Sequence, residues 1–392
     1  MRLETEGGAS RHGNRRLLGF AVASQMAAWT GAALFIPTIP LYLRHLNASD
    51  VEIGYYSAAT LISLSFGPMF LGWLSDRLHV RDRLVVACLA LQVPTAYAMG
   101  LTDSLVLTCL LNVCLWTFGA SSINLTRAIV ALNYSEGERN QAFAKLAITS
   151  PISFVIGGFA GGRIVEAWGY PGLFTVMTGF WFLAAIFAMG IQDRYCPEEH
   201  VSDTDASVSR PLILFCVAMA LQSLAFQWSE IGMPLRLEEL EFSLPFITSM
   251  YSVSSLVSIP FVLLAGRYAT RLGNVRMLTA GLAIFAITRV VLSVVGSGGA
   301  ILATQMVTGI PVSSVHSIAA ALMAGLGPDR SVGRRMSLLM MCSGVGGGHI
   351  LSAFGPDGLL VCAAVGLGCS GLFMGLFVTD PERVGRERVR AA

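Results

Sequence analysis

The sequence predicts an all-α polytopic membrane protein built from two six-helix halves, and three observations support this prediction. Hydrophobic residues make up 54% of the chain and charged residues only 13%, about half the share in a soluble domain. The charges cluster, which leaves apolar stretches of about 20 residues, the length that crosses a bilayer. A polar loop that begins at Gly72 also has a second copy at Gly266, 194 positions later. We therefore expect halves related by a pseudo-two-fold axis along the membrane normal.

Twelve membrane spans are predicted from the apolar stretches. The first apolar run follows several arginines, but it is too long for the apolar core of a signal peptide, so we interpret it as a span. In order, the predicted spans are 17–43, 53–74, 84–101, 105–132, 143–166, 171–190, 211–235, 245–267, 276–296, 299–325, 335–354 and 358–378.

A polar segment, 191–210, separates the sixth and seventh predicted spans. It lacks apolar periodicity and carries several acidic residues, which is typical of a linker. The predicted organisation is therefore an N-terminal half (1–190), a cytoplasmic linker (191–210) and a C-terminal half (211–392).

Basic residues fall mainly on one side of the predicted spans. If the N-terminus is cytoplasmic, 21 of the 26 Lys and Arg residues lie in segments that face the cytoplasm. The positive-inside rule therefore places both termini in the cytoplasm. We expect a multi-pass protein of the cytoplasmic (inner) membrane of a bacterium.

Several function classes find no support in the sequence. The eight cysteines lie mostly in apolar segments without metal-ligand spacing, and no phosphate-binding glycine loop of the Walker type occurs. No cluster typical of nucleophilic catalysis is present, and the net charge of +2 does not indicate nucleic-acid binding. We expect no metal, no cofactor, no nucleic-acid partner and no enzymatic activity.

The repeated loop resembles a signature of the major facilitator superfamily, which lies between spans two and three. The first copy has His79 where the family has glycine, and the second has Thr270 in place of the acid. The resemblance covers essentially the whole chain and implies a cytoplasmic latch that stabilises one state of a transporter. The alternative is a loop charged only to satisfy topology. The implied latch residues are Gly72, Asp76, Arg77, Arg81, Arg83, Arg139, Gly266, Arg271 and Arg276.

The fifth predicted span resembles the glycine motif of drug/proton antiporters. Glycines stand at 157, 158, 161 and 162, and Gly158 replaces the proline of the family motif. Pairs of small residues four positions apart allow close helix packing, which is the alternative interpretation. The antiporter resemblance implies export, although Leu115 stands where many antiporters carry an arginine in span four. The stretch from Ile259 to Met277 is similar to bacterial sugar-efflux transporters.

Spans 1, 4, 7 and 10 line the central cavity in this superfamily, so their polar and aromatic residues are the predicted substrate-binding residues. Two pairs each place an amide and an indole on one helix face, at spacing i, i+4. Such a surface suits an uncharged or weakly cationic molecule, such as a sugar, a glycosylated metabolite or an aromatic drug; the alternative is hydrogen bonding between helices. The residues are Gln25, Trp29, Asn112, Trp116, Gln222, Gln227, Trp228, Gln305 and His316.

Glu230 is the predicted proton-coupling residue. Placing an ionisable side chain inside a membrane span costs free energy, so its presence in a lining span indicates a function. His316 on span 10 is a second candidate for carrying the proton. The alternative for Glu230 is an ion pair with Arg236 near the outer end. Arg289, within span 9, is predicted to be structural, with Gln305 as its partner.

The resemblance implies a secondary active transporter that works by rocker-switch alternating access. We expect a proton-coupled exporter of a small organic molecule; a proton-coupled uptake symporter and a transport-inactive membrane sensor remain alternatives. The expected partners are a small-molecule substrate, protons and the lipid bilayer, and the expected assembly state is a monomer.

Overall fold

A computed structural model describes residues 3–134, 136–193, 210–325 and 347–378. In these ranges the chain forms helices joined by short turns, without a β-strand. The helices are α1 (Leu3–Phe35), α2 (Ile39–His45), α3 (Asp50–Leu78), α4 (Arg81–Met99), α5 (Leu105–Asn133), α6 (Glu136–Ala147), α7 (Thr149–Ala188), α8 (Arg210–Glu239), α9 (Leu244–Leu272), α10 (Asn274–Val294), α11 (Gly298–Gly325) and α12 (Gly347–Phe377).

Eight stretches of the described helices are long and apolar enough to cross a membrane. One of them, Gln141–Ala188, has 48 residues and contains the fifth predicted span and all but the last two residues of the sixth. Most of the predicted linker 191–210 and most of the predicted span 335–354 lie outside the described residues. The predicted division of the chain at this linker therefore stays a prediction.

One predicted helix differs from the structure, and two predicted boundaries coincide with kinks. The first span was predicted as one helix, but α1 ends at Phe35 and a 3-10 turn (Ile36–Thr38) precedes α2. The prolines at 37 and 40 explain this break, because proline lacks the backbone N–H that a helix interior requires. In α7 and α12, by contrast, a kink lies at the predicted boundary between two spans. Each kink is a glycine with positive φ, 68° at Gly169 and 67° at Gly355, a conformation that glycine adopts without strain.

Each half has its own buried apolar core. In the N-terminal half, Trp181 and Phe174 of α7 pack with Leu89 of α4 and with residues of α1 and α5. In the C-terminal half, Phe215 of α8 packs with Phe285 of α10 and with residues of α12. Because lipid is as apolar as these side chains, close van der Waals packing between the helices, and not removal from water, stabilises each bundle.

A third core joins the two halves at one end of the molecule. Leu43 of α2 and Ile53 of α3 pack there against residues of α8, α9 and α12, among them Leu235. At the same end, the Nη1 of Arg44 lies 2.8 Å from Oε2 of Glu238 on α8. We call this side the Arg44 end. Both apolar and charged contacts close the space between the halves at the Arg44 end.

The four glycines of α7 lie at two different helix contacts. A Cβ placed on Gly157 would lie 2.6 Å from the Ala33 Cβ of α1, and Gly161 is similarly close to α1. A Cβ on Gly158 would lie 2.5 Å from the Ser252 Oγ of α9, and Gly162 also faces α9. One small-residue pair therefore packs within the N-terminal half, whereas the other packs against the C-terminal half.

Hydrogen bonds reinforce the contact between α7 and α9. The hydroxyl of Ser252 donates to the carbonyl of Val155 at 2.9 Å, and the backbone N–H of Gly162 donates to the Thr248 Oγ1 at 3.2 Å. Ser252 and Thr248 are fully buried, so these bonds form away from water. The close approach that makes them possible depends on the absence of a side chain at 158 and 162.

Gly158→Ala is expected to weaken the contact between the halves. The new methyl group would also lie 2.7 Å from the carbonyl oxygen of Thr248, and a backbone atom cannot move aside alone. Overpacking of this kind costs about 1–3 kcal/mol. Unfolding of the purified protein in an SDS titration measures the loss. Gly179→Ala is the matched control, since no described atom lies within 4 Å of a Cβ on that glycine; equal stability of the two variants would contradict the expectation.

Candidate transport site

A pocket inside the N-terminal half is lined by four helices, and we call it the N-half pocket. The empty space between these side chains measures about 400 Å³, including solvent beyond its mouth, so the pocket is open on one side. Helix α1 contributes four residues, α5 contributes four, and α4 and α7 contribute one each. The lining residues are Ala28, Trp29, Ala32, Phe35, Gln92, Leu115, Trp116, Gly119, Ile123 and Trp181.

Gln92 of α4 enters the N-half pocket beside Gly119 of α5. A Cβ on Gly119 would lie 2.8 Å from the Nε2 of Gln92, so the glycine makes room for this amide. The Nε2 donates to the carbonyl oxygen of Leu115 at 3.2 Å, and Gln92 is 3% exposed. The Oε1 of Gln92 has no hydrogen-bond partner in the described part of the chain. A buried amide oxygen without a donor is a free acceptor in the pocket.

Two predicted binding residues line the N-half pocket. Trp116 is half-buried, and its indole N–H has no acceptor among the described residues. Trp29 is also half-buried, and its ring centroid lies 6.3 Å from that of Phe154 on α7. Gln25 lies one helical turn from Trp29 and is 3% exposed, with neither amide atom hydrogen-bonded to a described group.

Asn112 lies away from this pocket, although its spacing predicted a shared face with Trp116. Its Nδ2 donates to the Thr60 Oγ1 of α3 at 2.6 Å, and the residue is fully buried. Asn112 is therefore at the contact between α3 and α5. This location supports the alternative interpretation, in which Asn112 forms a hydrogen bond between helices and does not contact substrate.

A charged cluster lies in the C-terminal half. Glu230 of α8 is half-buried and lies within electrostatic range of Arg289 on α10, without a direct ion-pair contact, and near Tyr251 on α9. Arg289 is 2% exposed. Its Nη1 donates to the Ser229 Oγ at 2.8 Å, and its Nη2 donates to the Thr308 Oγ1 at 2.7 Å. Four helices therefore meet around one acid and one base.

The predicted partner of Arg289 was wrong. Gln305 donates to the sulfur of Met233 instead, whereas Arg289 uses hydroxyl acceptors on α8 and α11. Gln305 lies only three residues before Thr308 on the same helix, so sequence distance could not decide between the two. The planar guanidinium also lies over the Phe285 ring, with 5.0 Å between Cζ and the ring centroid.

The alternative partner of Glu230, Arg236, pairs elsewhere. The Nε of Arg236 lies 2.7 Å from Oδ1 of Asp357 on α12. Arg236 stands near the end of α8 next to the Arg44 end, whereas Glu230 stands almost two turns deeper. Glu230 therefore belongs to the charged cluster with Arg289, and not to the ion pairs at the helix ends.

The other predicted binding residues of the C-terminal half lie on α8 and α11. Gln222 is buried on α8, and Gln227 and Trp228 are half-buried on the same helix. Trp228 packs against the core that joins the halves. The backbone of His316 belongs to α11, but its side chain lies outside the described residues, so its predicted roles are not tested.

The predicted latch residues of the first loop lie at the end of the molecule opposite Arg44. Arg81 pairs with Asp193, with 3.4 Å between Nη1 and Oδ2, and the Asn133 amide donates to the same carboxylate at 2.9 Å. The Arg77 guanidinium lies over the Trp73 ring at 5.5 Å. Gly72 has no described atom within 4 Å of a placed Cβ, while Arg83 and Arg276 lie in the first turns of α4 and α10. The side chains of Asp76, Arg139 and Arg271, and the surroundings of Gly266, lie outside the described residues.

Several residues that build the two clusters were not among the predicted binding residues, and four of them illustrate why. Gln92 and Trp181 belong to α4 and α7, whose spans were not expected to line a cavity. Ser229 and Tyr251 lie in long apolar helices, where no motif distinguishes them from other serines and tyrosines. The amide of Gln92 was the one sequence signal, as a buried polar residue between apolar neighbours.

The fold and these sites define a class of protein: a polytopic helical membrane protein with an interior cluster of polar side chains in each half. A family model for the MFS_1 like family matches residues 27–356. The chain therefore belongs to this family of the major facilitator superfamily, and the predicted fold class and the predicted superfamily are confirmed.

Solved structures with the same fold cover nearly the whole chain. An auto-inhibited peptide transporter of the POT family matches with a TM-score of 0.73 and 13% identity, covering 92% of this chain and 96% of that one. A bacterial homologue of the human lysosomal transporter Spinster, inward-facing and unoccupied, matches with 0.68 and 12%, covering 93% and 95%. At these identities the likeness shows the fold alone.

Among curated proteins, the chain is similar to the multi-drug resistance efflux pump PmrA of Streptococcus pneumoniae. The two sequences are 24% identical over 270 residues. The match covers 64% of this chain and 66% of the relative, slightly under two thirds of its length.

Proposed function

We propose that this protein is a proton-coupled exporter of a small organic molecule, a sugar, a glycosylated metabolite or a drug. The observation that carries the coupling is the proximity of the acid Glu230 to the buried base Arg289 inside the spans. A charge inside a membrane span is tolerated when an opposite charge lies nearby. Protonation of Glu230 therefore changes the net charge of the cluster and removes its attraction to Arg289.

Proton exchange at Glu230 supplies a physical link to alternating access. When Glu230 is ionised, it attracts Arg289 and holds α8 against α10. When it is protonated, that attraction disappears and Arg289 keeps only its hydroxyl partners and the Phe285 ring. Because four helices meet at the cluster, such a change can favour a different packing of the C-terminal half.

Export is favoured by two observations. The glycine motif of α7 resembles that of drug/proton antiporters, and the curated relative is an efflux pump. With both termini in the cytoplasm, the Arg44 end faces the outside. The described contacts then close the outer side, where α7 meets α9 and Arg44 meets Glu238.

Release of the substrate to the outside requires the Arg44 end to open. Exposed ion pairs contribute about 0–1 kcal/mol each, so the pairing of Arg44 with Glu238 is easily broken. The opposite end would then close, and the predicted cytoplasmic latch would stabilise that state. In this proposal the protein acts as a monomer in the inner membrane of a bacterium.

Inside-out membrane vesicles test the direction and the coupling. Respiration acidifies their interior, which quenches the fluorescence of an acridine dye. If the protein exchanges substrate for protons, adding ethidium or methyl-β-glucoside releases protons and restores the fluorescence. Vesicles without the protein are the control. A substrate that the vesicles move without proton release would contradict the proposed exchange.

A further inference from the structure

We propose that the N-half pocket is a binding subsite for an uncharged, planar ring that carries a hydrogen-bond acceptor next to a donor. This inference deepens the proposed function, on which it rests only for the role of the ligand as transported substrate. The subsite lies within one half, between α1, α4, α5 and α7, and not between the halves. A ligand can therefore remain bound there while the halves move.

The walls of the pocket favour a flat ring. The indoles of Trp29, Trp116 and Trp181 and the ring of Phe35 line it together. Aromatic side chains bury large areas and pack well against other rings, in offset or edge-to-face arrangements. Since Trp181 is only 2% exposed, it forms a fixed wall, whereas the half-buried Trp29 and Trp116 can adjust to a ligand.

The unpaired polar atoms favour a ligand with both an acceptor and a donor. Among the described residues, the Trp116 indole N–H has no hydrogen-bond acceptor and the Gln92 Oε1 has no hydrogen-bond donor. Leaving buried polar groups unsatisfied costs free energy, and a ligand that pairs with both removes this cost. An amide within a ring, a lactam, presents a carbonyl acceptor beside an N–H donor.

The absence of charge favours a neutral ligand. All ten lining residues are uncharged: three are tryptophans, one is Gln92, and the other six are apolar or glycine. An ionised ligand would lose its hydration without gaining a counter-charge from this lining. Arg127 lies one helical turn beyond Ile123 on α5, so an anionic analogue belongs in the test.

Thermal unfolding of the purified full-length protein in detergent tests the subsite without any proton gradient. A ligand that binds the folded state raises the melting temperature with its concentration. The probes are quinolin-2-one, a planar lactam; piperidin-2-one, the same amide without an aromatic ring; and quinoline-2-carboxylate, a planar anion. We expect quinolin-2-one to stabilise the protein at concentrations at least about tenfold lower than the other two.

Two variants locate the binding. Trp116→Phe removes the unpaired indole N–H, and Gln92→Met removes the amide at similar length. Each is expected to raise the quinolin-2-one concentration needed for the same shift about tenfold, the effect of one lost hydrogen bond. Trp168→Phe is the matched control, because Trp168 is 67% exposed and remote from the lining. If one pocket variant fails to fold, the other decides.

Four outcomes overturn the subsite: no shift of the wild type with quinolin-2-one, a stronger shift with the carboxylate, unchanged binding by both pocket variants, or an equal loss in Trp168→Phe. The first would mean that the pocket holds water only. Failure of the proposed function is distinguishable, because a protein that binds the lactam in detergent but releases no protons in vesicles keeps the subsite and loses the exchange.

Discussion

Replacing Glu230 with glutamine is expected to abolish proton-driven transport while substrate counterflow continues. Glutamine keeps the size and hydrogen-bonding capacity of the side chain but cannot exchange a proton. We expect the rate driven by a pH gradient to fall about a hundredfold or more, by analogy with the loss of a positioned proton-transfer group in an enzyme. Counterflow exchanges one substrate molecule for another and needs no proton movement, so it should persist.

Glu238→Gln is the matched control for this experiment. Glu238 lies on the same helix and undergoes the same chemical change, but it is exposed and pairs with Arg44 at the helix end. Reconstituted vesicles allow gradient-driven uptake and counterflow to be measured on the same preparation. If Glu230→Gln still responds fully to the pH gradient, Glu230 is not the coupling residue. If Glu238→Gln loses the response equally, the effect belongs to acidic residues of α8 in general.

The fold could be predicted from the sequence because its signals are strong and local. Length and apolarity identify membrane helices, and the loop at Gly72 and its copy at Gly266 indicated two related halves. The glycines at 157–162 predicted close packing for the same reason, since small residues four positions apart share a helix face. The sequence did not indicate that the two pairs would contact different halves, because that depends on which helix lies on each side of α7.

The composition of the sites was less predictable, because it depends on contacts between helices distant in the sequence. Trp116 was identified from its helix, but Gln92 comes from a helix not expected to line a cavity. Glu230 was identified from its charge and depth alone. Its interaction with Arg289 joins residues 59 positions apart, and no pattern in the chain indicates which faces of α8 and α10 meet.

Replacing Arg289 with leucine is expected to destabilise the protein by about 1–3 kcal/mol, the range for leaving buried hydrogen-bonding groups without their partner. The variant leaves Glu230 without its counter-charge and leaves the hydroxyls of Ser229 and Thr308 without their donor. Unfolding in an SDS titration measures the loss. Arg163→Leu is the control, because Arg163 is exposed and, within the described ranges, its side chain donates only to the Phe159 carbonyl of its own helix. Equal losses of stability in both variants would show that the contacts of Arg289 in the cluster do not stabilise the protein more than an exposed arginine does.

The double variant Glu230→Gln/Arg289→Leu separates a coupling role of Arg289 from a purely structural one. If the two charges interact, removing both costs less than the sum of the single losses, because the uncompensated acid is gone. We expect the double variant to recover at least about 1 kcal/mol relative to Arg289→Leu, within the range of interaction energies for residues in one network of polar interactions. Additive losses would mean that Arg289 stabilises the bundle through its hydroxyl partners alone. Proton coupling would then have to be explained without this pair.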